Sequence, residues 1–328
     1  MRESLKALCD SFIANRDVVK EAFRMESSHI YAVCANIFCA RGIPADAAKL
    51  TESKALIRQK TGIFSSFRGI VRPPIACLLA VQDHPSSVLE QTLNCYDLLK
   101  KRFWGSEYLA LLAFLLADMT KPGKEAEIIA RGRIIYERMK AEHPFLTSTE
   151  DSIFAVLMAF SPHSDDELIA DMETCYQLLR QRFPSGNALQ AVSHVLALSE
   201  GMPEEKTRRL VDLYDAILAA GGKYGKRNEL ATLAAVSILR TDVSLLAADM
   251  MEVDAFLSSQ KGYGILGMDK RSRMMHAAMI VSDEYMPHTT VETAAIASTI
   301  SIIAAQQAAM CAAIAASAAA STAANASN

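Results

Sequence analysis

The sequence lacks any motif that identifies a chemistry. Its 328 residues contain no nucleophile motif, no closely spaced group of metal ligands and no glycine-rich phosphate loop. His84 and His163 follow apolar helical segments, but Pro85 and Pro162 beside them mark turns, and the spacing fits no metal site. We therefore predict no metal and no cofactor.

The cysteines also lack a pattern, because no Cys-x-x-Cys pair occurs. There are seven, an odd number, scattered at positions 9, 34, 39, 77, 95, 175 and 311. Disulfide-stabilised secreted proteins use paired sets. The N-terminal segment Met1–Leu8 carries charges where a signal peptide needs an unbroken apolar run. We therefore expect reduced core thiols, no export signal and a cytoplasmic location.

An excess of charge is absent as well. The net charge is −3 at pH 7 and the pI is about 6.2, so a nucleic-acid partner would need a local basic patch, and no specific one is predicted. Hydrophobic residues make up 51% and charged residues 22%. This balance supports a large buried core and excludes a disordered chain.

The sequence does contain a repeat. The segment Cys95–Phe103 returns 80 residues later as Cys175–Phe183, with six of nine positions identical. Tyr136 lies halfway between the two aromatic positions, and Tyr214 and Phe256 continue the series. A period of about 40 residues is the size of a helical hairpin. Because these aromatic residues share one helical phase, we interpret them as packing positions rather than as a ladder for a ligand.

Segments that are apolar on nearly every side alternate with longer amphipathic ones. The first type is typical of buried helices and the second of surface helices. The buried type is predicted at residues 30–40, 75–81, 109–117, 153–160, 189–198, 230–239 and 274–281, and the amphipathic type at 45–60, 87–102, 124–142, 165–182, 204–220 and 245–260. The alternation predicts an all-α fold of about seven helical hairpins, arranged as an α-solenoid or a closed α/α toroid.

We expect one helical-repeat domain over residues 1–328. It comprises a capping helix at 1–26, the hairpins at 27–286, and an alanine-rich helix with a frayed tail at 287–328. Gln306, Gln307 and many Ser and Thr residues lower the hydrophobicity of this last segment, so we predict that it does not cross a membrane. Its small side chains favour close packing against the buried helices and could fill the central space.

The seven-hairpin layout and the ending Ile302-Ile303-Ala304-Ala305-Gln306-Gln307-Ala308-Ala309-Met310 resemble a family of uncharacterised bacterial proteins, domain-of-unknown-function family 4003. The likeness covers most of the chain, and the motifs that carry it are structural. The resemblance implies a bacterial, cytoplasmic protein and supplies no catalytic residues.

The connections between the predicted helices differ in charge. Acids follow the buried helices, whereas bases with an aromatic residue follow the amphipathic helices. Connections of one kind share an edge in a hairpin array, so we expect an acidic edge and a basic, aromatic one. Bases in the last helical turn complement the helix dipole without any function. Exposed rings and arginines are nevertheless typical of interfaces. We therefore predict that the basic edge binds an acidic protein or anionic ligand through Arg102, Trp104, Arg182, Tyr224, Lys226 and Arg227.

The acidic edge supports an alternative, an enzyme with a carboxylate-lined site in the lumen of a toroid. Its candidate catalytic residues are Asp118, Glu200, Asp242 and Asp283. The same acids could instead cap the helices that follow them. A deep central cavity lined by two or more carboxylates favours the enzyme, whereas a filled lumen removes its site. We prefer a non-enzymatic binding protein, and interpret His194 and His276 as core histidines.

Overall fold

The computed structural model describes residues 1–184, 186–227, 229–264 and 267–285. These residues form fourteen α-helices and no strand, which confirms the predicted all-α class. The helices are α1 Glu3–Ala22, α2 Ser28–Cys39, α3 Ala47–Lys60, α4 Arg72–Ala80, α5 Pro85–Leu99, α6 Glu107–Met119, α7 Glu125–Glu142, α8 Asp151–Met158, α9 Asp165–Arg180, α10 Gly186–Ala197, α11 Pro203–Ala219, α12 Glu229–Ser237, α13 Val243–Ser258 and α14 Lys270–Tyr285. The alanine-rich helix expected at 287–328 lies outside the described residues.

The helices form two layers. Each even-numbered helix packs against the odd-numbered helix before it, from α1 with α2 to α13 with α14, which makes seven hairpins. The even-numbered helices are the inner layer, and all eight residues of α8 are buried. The odd-numbered helices bury a single stripe, which in α5 consists of Leu89, Thr92, Cys95 and Leu99. The structure therefore has the alternation of helix types that the sequence predicts.

The N-terminal helix belongs to the outer layer. It packs against α2 and α3, while α14 packs against α1, α2 and α12. The ammonium group of Met1 lies 3.0 Å from Glu252 of α13, and Arg2 forms an ion pair with Asp249 of the same helix. The expected capping helix is thus the outer helix of the first hairpin, and the last described hairpin contacts the first.

A contact between neighbouring hairpins explains the 40-residue repeat. A ring that follows each of four outer helices packs against the repeat tyrosine of the next outer helix. The ring centroids are 5.1 Å apart for Phe67 and Tyr96, 5.6 Å for Phe103 and Tyr136, 4.4 Å for His143 and Tyr176, and 5.1 Å for Phe183 and Tyr214. Edge-on packing, which aromatic rings prefer, occurs in three of these pairs. The repeat tyrosines are therefore packing positions between hairpins.

Arginines of the outer layer bind the connections that follow inner helices. Arg209 of α11 donates hydrogen bonds to the carbonyl oxygens of Ser237, Leu239 and Thr241, at 3.0, 2.7 and 2.9 Å. Arg131 of α7 binds the connection after α8 in the same way. The last carbonyl groups of a helix have no intrahelical donor. Of the carbonyl groups bound by Arg209, that of Ser237 is the last of α12, and the others belong to the connection that follows. The arginines therefore hold these connections against the outer layer.

Six cysteines lie in the described residues, and all six are buried and free. Burial raises the pKa of the Cys9 thiol to about 12 and that of Cys95 to about 11. These thiols are packing residues with little thiolate character. The seventh, Cys311, lies outside the described residues. Within the described part of the chain, no helix combines the length and hydrophobicity needed to cross a membrane.

Candidate functional site

The connections that run from outer to inner helices lie along one edge, which we call the outer-to-inner edge. They comprise residues 23–27, 61–71, 100–106, 143–150, 181–184, 220–227, 259–264 and 267–269. Neighbouring connections and helix ends are bonded to one another. Glu26 pairs with Arg72 at 3.3 Å, the Ile70 amide donates to Glu107 at 3.1 Å, and Gln190 donates to Thr147 at 2.8 Å. This edge is the one predicted to be basic and aromatic.

A cleft of about 360 Å³ opens on this edge where α11, α12 and α14 approach each other. Four cationic side chains line it, together with one carboxylate and an aromatic and aliphatic wall. The lining residues are Tyr214, Leu218, Lys223, Tyr224, Lys226, Arg227, Glu229 and Arg271. We call this the cationic cleft. Its positive charges outnumber its negative charge four to one, so its summed field attracts anions.

Glycine shapes the segment that carries three of these cations. Helix α11 ends in a Schellman motif, in which the Gly221 amide donates to Leu218 and the Gly222 amide to Ile217, at 3.0 and 2.9 Å. Gly221 has a φ of 82°, a conformation that a side chain disfavours. The chain therefore turns sharply after the helix and presents Lys223 and the residues that follow along the edge.

Tyr214 forms the floor of the cationic cleft. Its ring is 2% exposed, and two cations approach it, Lys226 at 5.7 Å and Arg182 at 5.6 Å from the ring centroid. Cations within about 6 Å of an aromatic face are attracted by the ring. Arg182 also pairs with Asp215 at 2.6 Å, whereas Lys226 and Arg227 are exposed. The repeat tyrosine thus gathers cations from two successive connections.

The structure brings together four of the six predicted binding residues. Tyr224, Lys226 and Arg227 line the cationic cleft, and Arg182 lies against its floor. The expectation that Tyr224 presents an exposed ring is wrong, because this ring is 3% exposed and its hydroxyl donates to the Glu229 carbonyl at 3.0 Å. Packing under the connection, rather than contact with a partner, explains this tyrosine.

The other two predicted binding residues lie elsewhere on the same edge. Arg102 and Trp104 belong to the connection between α5 and α6 and do not line the cationic cleft. Both are exposed, and the Trp104 ring keeps 85% of its surface accessible. The predicted binding residues of this edge therefore extend beyond the cationic cleft.

The four candidate catalytic acids lie at separate helix ends. Asp118 is exposed at the end of α6, Glu200 accepts a hydrogen bond from Arg240 at 2.6 Å, and Asp242 caps α13 by accepting from two amide groups. The capping alternative accounts for Asp242. Asp283 differs, because it is buried in α14 and burial raises the pKa of its carboxyl to about 8.

One polar pair that the sequence did not reveal joins α8 and α10. The Nδ1 atom of His194 lies 3.4 Å from a carboxylate oxygen of Asp151, and both side chains are buried. Burial lowers the pKa of His194 to about 3 and raises that of Asp151 to about 7. His194 is therefore neutral in neutral solution, so the two side chains do not form an ion pair. The two residues are 43 positions apart, so only the packing of inner helices identifies them.

A second histidine group joins α2 to α14. His276 is buried, its Nδ1 atom lies 2.8 Å from the Tyr263 hydroxyl, and its ring packs edge-on against His29 with centroids 5.5 Å apart. Burial lowers the pKa of both histidines. In the part of the chain that the structure covers, no three His, Cys, Asp or Glu side chains are placed to hold a metal ion.

Comparison with known proteins identifies a family but assigns no activity to the chain. No solved structure matches the chain. A curated relative, the "Uncharacterized protein YeaA" of Bacillus subtilis (strain 168), is 29% identical over 178 residues, which cover 52% of this chain and 54% of the relative. The chain thus spans about half the length of that relative. The sequence model described as "Protein of unknown function (DUF4003)" matches residues 15–309, and the chain belongs to this family.

Proposed function

We propose that this protein is a non-enzymatic binding protein that takes an anionic ligand in the cationic cleft. The observation that carries the proposal is the convergence of four cations on one concave surface with a single carboxylate. That carboxylate, Glu229, accepts a hydrogen bond from the Arg227 amide at 3.2 Å, so part of its charge is already compensated. Arginine and lysine form strong charge-assisted hydrogen bonds with phosphate and carboxylate groups.

A closed α/α toroid and a cytoplasmic location complete the proposal. The contacts of α14 with α1 and α2 support closure of the ring. The six buried, unpaired cysteines support a reducing compartment. The enzyme alternative receives less support from its four named acids, because Glu200 and Asp242 are already engaged in an ion pair and a helix cap.

Reversing Lys226 and Arg227 to glutamate should weaken binding of inorganic pyrophosphate about a hundredfold or more. The change removes two charge-assisted donors and adds two repelling charges, each donor contributing about 1.5–3 kcal/mol. Isothermal titration calorimetry at two ionic strengths measures the effect, and wild-type binding should weaken as salt screens the cleft. Thermal stability should hardly change, because both side chains are exposed.

The matched control reverses Arg41 and Lys49, which are exposed outside the outer-to-inner edge. This control makes the same change in net charge, so it should leave pyrophosphate binding within about twofold, since distant exposed charges are screened. Equal losses in both variants would show that net charge rather than the cleft holds the anion. Unchanged binding in the Lys226 and Arg227 variant would refute the proposed site.

A further inference from the structure

Large apolar side chains project from the outer-to-inner edge. They come from the first four connections of this edge and are Met25, Ile63, Phe64, Trp104 and Phe145, with 98, 79, 101, 85 and 98% of their surface exposed. Their exposure contrasts with the other rings of the same connections, since Phe67 and Phe103 are buried against repeat tyrosines. Packing therefore accounts for one ring in each of these two connections and leaves the exposed ring unexplained.

The backbone of the first connection is also unusual. Met25 has a φ of 78°, the only positive value outside glycine in the described residues. Such a conformation is uncommon for a residue that carries a side chain. On the opposite edge, the most exposed large hydrophobic residue in the described connections is Met202, at 67%. The apolar projections are thus concentrated on one edge of the fold.

Cations accompany these projections. Arg24 adjoins Met25, and Lys101 and Arg102 precede Trp104, all three exposed. The later connections of the same edge carry the cationic cleft. Three acids at this edge are engaged within the protein: Glu26 pairs with Arg72, Glu107 accepts from the Ile70 amide, and Asp269 caps α14. The edge therefore combines an apolar half with a cationic half.

We propose that the outer-to-inner edge binds reversibly to an anionic lipid bilayer, with the apolar side chains inserted into the interface and a lipid headgroup phosphate in the cationic cleft. The projections stand singly on separate connections, and a fluid interface accepts such side chains without requiring a complementary shape. Aromatic residues favour the interfacial region of a bilayer. Anionic lipids attract nearby Lys and Arg side chains. The headgroup contact rests on the proposed function of the cleft.

Trp104 allows a direct test, because it is the only tryptophan in the sequence. Vesicles of phosphatidylcholine containing phosphatidylserine should shift its fluorescence emission to shorter wavelength as the ring leaves water. Vesicles of phosphatidylcholine alone should bind at least about tenfold more weakly, and added salt should weaken binding to the anionic vesicles. The absence of an emission shift with anionic vesicles would overturn the inference, as would a shift produced by polyglutamate but not by vesicles.

Variants separate the two halves of the edge. Phe64→Ala with Phe145→Ala should reduce partitioning into anionic vesicles about tenfold, since each removes an inserted ring, and should leave pyrophosphate binding unchanged. Met202→Ala, on the opposite edge, is the matched control and should change neither. Wild-type binding of pyrophosphate without binding of vesicles would reject the membrane inference and retain the proposed function. Partitioning into anionic vesicles that is unchanged by Phe64→Ala with Phe145→Ala would also reject it.

Discussion

Replacing Tyr214 with alanine is expected to lower the free energy of unfolding by about 4 kcal/mol, in the range measured for removing buried aromatic rings. The ring is 2% exposed and packs edge-on against Phe183 at 5.1 Å. Its loss leaves a cavity between two hairpins and removes the surface on which Arg182 and Lys226 rest. Urea denaturation of the variant and wild type measures the change, and pyrophosphate binding should weaken in parallel.

Tyr214→Phe is the control for this prediction. It keeps the ring and both cation contacts, so it should lower the free energy of unfolding by less than about 1.5 kcal/mol, as volume-conserving changes do. Stability equal to wild type in Tyr214→Ala, with binding lost, would show that the repeat tyrosine belongs to a ligand site and not to the packing between hairpins.

Asp283→Asn should stabilise the protein increasingly as the pH rises. Burial raises the folded-state pKa of Asp283 from 3.8 to about 8. Because the folded state holds the proton more tightly, the associated stability is fully present below about pH 4 and is lost as the pH rises towards 8. Asparagine cannot ionise and can still accept the hydrogen bond that Asn36 donates at 3.3 Å. The free energy of unfolding of the variant should therefore exceed that of wild type by on the order of 5 kcal/mol near pH 8, and by little near pH 4.

Denaturation in urea across this pH range tests the prediction. Asp118→Asn, at an exposed position, should differ from wild type by less than about 0.5 kcal/mol throughout. A constant difference between Asp283→Asn and wild type at every pH would show that Asp283 keeps an ordinary affinity for its proton in the folded protein.

Local pattern was sufficient to predict the helices and the packing role of the repeat aromatics. The apolar segment predicted at 153–160 corresponds to α8, and the repeat positions Tyr176 and Tyr214 are buried. The same pattern could not distinguish two aromatic residues in one connection. Phe64 is fully exposed and Phe67 is buried, because only Phe67 reaches the tyrosine of the next hairpin. That difference depends on the neighbouring hairpin rather than on either residue's own surroundings in sequence.

Contacts between segments that are distant in sequence could not be predicted either, because they too depend on which helices are neighbours in the fold. The ion pairs of Met1 and Arg2 with α13 place the start of α1 beside a helix more than 200 residues away. Asp151 and His194 meet only because α8 and α10 are neighbours in the inner layer. The prediction of an exposed Tyr224 ring was wrong for a similar reason. The Tyr224 hydroxyl donates a hydrogen bond to the carbonyl of Glu229 in α12, and the ring is buried.

The central claim is that an anion binds among the cations of the cleft, and a crystal structure of the protein grown with pyrophosphate tests it most directly. We predict pyrophosphate above Tyr214, with its oxygen atoms accepting hydrogen bonds from Lys226, Arg227 and Arg271, three of the four cations that line this surface. Pyrophosphate bound on another surface, or an empty cleft in crystals that contain it at saturating concentration, would contradict the account.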